Sequence, residues 1–79
     1  MALDRNREVR SLHEADMHIG KAEAAVTRQQ AVLDELRRAE HDTVEAERLL
    51  GNFEDTLAAM VEHRRIIVST IAQIDAGQM

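Results

Sequence analysis

Apolar residues recur at alternating steps of three and four along most of this chain, and the pattern lapses once. The first block runs Leu12, Ala15, Ile19, Ala22, Val26, Leu33 and Leu36, with Gln29 in the same line. The second runs Ala46, Leu50, Phe53, Leu57, Met60, Ile67, Ile71 and Ile74, with Arg64 in line. Steps of three and four keep side chains on one face of an α-helix. Between the blocks the line passes through Glu40 and Thr43, which are polar, so the stripe breaks across residues 39–45. The pattern predicts an all-α fold, an antiparallel two-helix hairpin forming one domain over residues 1–79. Helix 1 spans about 9–39, the turn about 39–42 and helix 2 about 43–75.

Local chemistry offers two places to turn. Asp42 can accept from free backbone N–H groups, and Glu45, three residues on, can reach back in a capping box. Gly51-Asn52 is the competitor, with Asn52 as cap and Asp55 three residues later, and Gly51 is the better helix breaker. Pairing decides for Ala39–Asp42. A turn centred near residue 41 sets Leu36 opposite Ala46, Leu33 opposite Leu50, Gln29 opposite Phe53 and Val26 opposite Leu57. Beyond these, Ala22 faces Met60, Ile19 faces Arg64, Ala15 faces Ile67 and Leu12 faces Ile71. Large residues meet small ones in several layers, as interdigitated packing requires. A turn at Gly51 would leave Leu12 to Val26 bare and put Glu40 and Thr43 in the core. Ser11 with Glu14 reads as a further capping box near the start. The most buried side chains are expected to be Leu33, Leu50, Leu57, Ile67 and Ile71.

The chain has 79 residues, no Pro, no Cys, no Trp, no Tyr and one aromatic residue, Phe53. So short a chain buries a small core, and disulfides, metals or oligomers are the usual remedies. Without Cys, pairing with another chain is the expected one. On an ideal wheel, Val9, Val61, Val68 and Ala72 share one flank, adjoined by Leu12, Ile19 and Leu50. Ala25, Val32, Leu49 and Ile74 share the other. A lone hairpin cannot cover both flanks, whereas a homodimer forming a four-helix bundle could.

Chemistry has little foothold. His13 and His18 stand five residues apart, about 140° around a helix, so they lack the one-face spacing of the zinc-protease helix. His18 and His63 fall in one layer of the hairpin with Glu14 a turn away. A metal-binding or small-ligand bundle is one alternative on that basis; two wet boundary imidazoles are the plainer reading, and no metal site is expected. Arg64 in the apolar line should snorkel to water or to an acid such as Asp16 or Glu23. Ser11 and Ser69 sit in no nucleophile elbow, and there is no Gly-rich phosphate loop. No catalytic, cofactor-binding or metal residue is expected, and the chain reads as a non-enzyme.

Net charge is -5. Arg5, Arg7 and Arg10 are interleaved with Asp4 and Glu8, so no basic face forms and nucleic acid is not an expected partner. An acidic, antitoxin-like regulator of a basic partner is the second alternative. The stretch Ile66 to Ile74 is far shorter than the roughly 20 residues of a membrane span. No signal-peptide pattern opens the chain, so a cytoplasmic protein is expected. The expected role is a structural or protein-interaction module, a homodimer whose outer face could take a protein partner.

His41-Asp42-Thr43, Ala46, Leu49-Leu50, Phe53-Glu54 and Leu57 resemble a pattern in short bacterial all-helical proteins with no assigned activity. His18-Ile19 and Arg28-Gln29 resemble their first helix, so the likeness covers about residues 18 to 64. Those proteins often carry Gly before the His-Asp-Thr, where this chain has Glu40. The resemblance implies a hairpin turning there, and nothing chemical.

Overall fold

The computed structural model describes residues 4–77. Two helices, α1 (Arg5–Arg38) and α2 (Val44–Asp75), pack side by side as an antiparallel hairpin. The turn falls at residues 39–43, and α2 runs unbroken through Gly51-Asn52.

α1 begins four residues before the expected start. Asp4, not Ser11, is its cap: Asp4 Oδ1 accepts from the backbone N–H of Asn6 at 2.9 Å and of Arg7 at 3.4 Å. A carboxylate there answers both the free N–H groups and the positive end of the helix dipole. Glu8 adds a second acid to the first turn. Ser11 therefore lies inside the helix, and its spacing to Glu14 has no capping role.

The turn closes α1 with a Schellman arrangement. The N–H of His41 donates to the Leu36 carbonyl at 2.9 Å, and that of Glu40 to Arg37 at 3.1 Å. These bonds satisfy carbonyls that have no partner within the helix. The motif requires a left-handed residue, and Glu40 supplies it at φ 58°. Among the described residues it is the one non-glycine at positive φ. The helix restarts at Thr43, which is the backbone cap in place of the expected Asp42. Asp42 still does part of the expected work, because its Oδ1 accepts from Val44 N–H at 3.0 Å. Glu45 does not reach back; its carboxylate pairs with Arg48 at 2.7 Å.

The core is thin. Ala15, Leu33, Ala46, Leu50 and Ile67 are the buried hydrophobic residues. Leu33, Leu50 and Ile67 match expectation. Leu57 and Ile71 are half-buried instead, and the small Ala15 and Ala46 are buried in their place. A helix packed against a single neighbour covers long side chains from one side only, while an alanine on the contact line is short enough to be hidden. Near the turn Leu33, Ala46 and Leu50 form one cluster, with Val26 and Leu36 packed against it. Gln29, the polar residue of the α1 stripe, donates from Nε2 to the Ala46 carbonyl at 3.1 Å. The molecule is a rod of 58 × 16 × 15 Å. Its radius of gyration is 17.8 Å, against about 12 Å for a compact chain of this length.

Candidate interaction surface

The two long sides of the rod differ in chemistry. Residues one step after the stripe positions Ala15, Leu36, Ala46 and Ile74 make one side, and ion pairs cross the hairpin there. Arg64 Nε meets Asp16 Oδ1 at 2.5 Å, and Arg37 Nη2 meets Glu47 Oε1 at 3.6 Å. At the open end Arg5 grips both oxygens of Asp75, at 2.6 and 3.3 Å. This donated hydrogen bond, with the guanidinium charge behind it, holds the Asp75 carboxyl below its ordinary value. Asp16 was one of the two acids expected to meet Arg64. Glu23 and Glu54 share this side, as do Val61 and Val68, which are 50% and 41% exposed.

The opposite side holds residues one step before Ile19, Leu57 and Arg64. Here a shallow open groove of about 350 Å³ is lined by Ala15, His18, Thr56, Ala59, Met60 and His63. It exists because Ala15, Ala59 and Thr56 are too small to fill the space beside Met60. His18 and His63 do come together, as their shared layer implied, and both are exposed. Glu14 does not line the groove. Among the described residues no group of three or more His, Asp or Glu gathers closely enough to hold a metal ion. Nor is any described helix long and apolar enough to cross a membrane.

No protein-family model, curated protein or solved structure matches the chain. The surface is therefore read from its own residues. Val32 and Leu49 are exposed, as the wheel implied, while Leu12, Ile19 and Ile74 are half-buried and Leu50 is buried. Met17, Val44 and Ile66 are bare, at 62%, 64% and 50%, and sequence reasoning missed all three. The signal for Ile66 was present: it lies seven residues after Ala59, on the row next to Leu49 and His63. Accessible surface totals 5889 Å². A compact monomer of 8.9 kDa exposes about 4,800 Å², so the rod carries roughly 1,100 Å² more.

Proposed function

We propose that this chain is a non-enzymatic structural or protein-interaction module that acts as a homodimeric four-helix bundle. The observation that carries the reading is the surplus of exposed area on a rod with five buried hydrophobic residues among those described. A stable protein interface of standard size removes about 800 Å² from each partner, and the surplus is of that order. At roughly 25 cal/mol per Å², leaving even about 200 Å² of apolar surface wet forgoes about 5 kcal/mol. Small domains have only about 5–15 kcal/mol of net stability. Closed twofold pairing is the commonest way to recover it.

A ligand-binding bundle has narrower support. His18 and His63 share a groove, but two exposed imidazoles without a third donor make a weak site. An acidic regulator of a basic partner rests on net charge alone.

Sedimentation equilibrium at micromolar concentration tests the proposal. A mass of twice 8.9 kDa, with a melting temperature that rises with protein concentration, is expected. A monomer whose melt ignores concentration would defeat it.

A further inference from the structure

We infer that the second copy docks on the His-bearing side of the rod, where α2 presents a neutral row, about a twofold axis passing level with Lys21 and Val61. This rests on the homodimer reading and adds its face and register.

The first observation is a second stripe on α2. From Leu49 to Gln73, steps of three and four pass through Thr56, Ala59, His63 and Ile66 and meet no Asp, Glu, Lys or Arg. Charged residues are 32% of the chain, so an unbroken neutral row about 36 Å long stands out. It is a second seam of the kind that packs one helix on another. The opposite side carries Asp16, Glu23, Asp34, Glu47, Glu54 and Asp75 against Arg5, Arg37, Arg64 and Arg65. A twofold contact there would bring two net-negative faces together.

The second observation is self-complementarity in register. In an antiparallel twofold contact, residues equidistant from the axis meet. On α2 an axis at 61 pairs Ala59 with His63 and Thr56 with Ile66, small against large in both layers. On α1 the outer row beside the groove reads Glu14, Lys21, Arg28 at seven-residue steps. An axis at 21 sets Glu14 against Arg28 of the second copy, twice over, with only Lys21 meeting its own kind. Glu14, Lys21 and Arg28 are exposed, and none is in an ion pair among the described residues.

The two axes agree to within about one residue. The pairs Asp16–Arg64 and Arg37–Glu47 fix how the helices slide past each other, and interpolating between them sets residue 21 level with about residue 60. Charge on one helix and side-chain size on the other thus locate the same axis. The groove lies beside it, so Ile66 and His63 of one copy would fill space left by Ala59 and Thr56 of the other.

The chain has no cysteine, which makes single-site cross-linking clean. Lys21→Cys and Val61→Cys place thiols at one height on opposite sides. With a short bis-maleimide, Lys21→Cys should yield covalent dimer at low micromolar protein and Val61→Cys little. Arg28→Glu should weaken the dimer several-fold in sedimentation, and Glu14→Arg with Arg28→Glu should restore it. Preferential cross-linking through Val61→Cys, equal yields from both thiols, or failure of the charge swap to rescue a protein that still sediments as a dimer would overturn the face and register alone. A monomeric wild type would overturn the homodimer reading with them.

Discussion

Arg64 and Asp16, forty-eight residues apart in the chain, meet at 2.5 Å beside the apolar seam of the hairpin. Arg64 stands where a stripe position would take an aliphatic residue, and its side chain stays 42% exposed. An ion pair this wet contributes under about 1 kcal/mol, since water screens it and both side chains lose freedom. Arg64→Leu should therefore leave the melting temperature unchanged or raise it, while Asp16→Ala should cost less than about 1 kcal/mol. Thermal melts at fixed protein concentration test this. A drop of several degrees on Arg64→Leu would mean that the pair does more than its exposure implies.

Glu40 holds a left-handed conformation at φ 58°, which costs a residue with a Cβ roughly 1 kcal/mol relative to Gly. Glu40→Gly should stabilise the protein by about 0.5–1 kcal/mol, read as a higher urea midpoint with an unchanged slope. Glu40→Val should lower that midpoint. Loss of stability in the Gly variant would show that the Glu40 side chain supplies more than the backbone strain removes.

Leu33 is 2% exposed and sits in the cluster with Ala46 and Leu50, whereas Leu57 is half-buried on the open seam. Leu33→Ala should cost about 2–5 kcal/mol. Leu57→Ala should cost clearly less, about 1–2 kcal/mol, because part of the lost surface is already wet. Equal losses would contradict this ranking of burial.

Gly20 and Gly51 lie inside helices, and a Cβ at either position meets nothing within 4 Å. Gly51→Ala and Gly20→Ala should each add about 0.5–1 kcal/mol by lowering the entropy of the unfolded chain. A destabilising Gly20→Ala would point to a close approach by another chain at that face.

Asp75 has its pKa lowered by the hydrogen bond from Arg5 and by its charge. A depressed carboxyl stabilises the fold above the unfolded-state value, and the contribution fades as pH falls through the folded value. The contact is solvent-exposed, so the effect is confined to the open end of the hairpin. Asp75→Asn should loosen amide exchange protection over residues 70–75 at pH 7, and the difference from wild type should persist at about pH 4 and fade only as pH falls below the ordinary carboxylate range. A difference that does not fade there would remove the ion pair as its cause.

The turn is legible in the sequence because the apolar stripe lapses there and pairing across residue 41 matches large with small. Helix periodicity and the partner of Arg64 follow from spacing as well. The start of α1 is not legible from that stripe: Ser11 copies the spacing of a cap, and the decisive group, Asp4, precedes the first apolar stripe residue. Leu57 and Ile71 are mis-ranked because periodicity gives direction, not depth. How much water remains on a seam depends on how many neighbours a helix has, and here it has one. His18 and His63 meet in one groove because register is legible. Their exposure depends on the small side chains around them.

The position of the Leu33, Ala46 and Leu50 cluster, directly above the turn, also sets an order of assembly. Leu33 and Leu50 close a loop of about seventeen residues, whereas Arg5 and Asp75 meet across seventy. Each doubling of loop length costs about 0.6 kcal/mol when no intervening contact has formed. The hairpin should therefore zip from the turn toward the open end, each layer shortening the loop that the next must close. A fault at residue 40 would then delay every later contact, while one at Arg5 or Asp75 would only let the last turns fray.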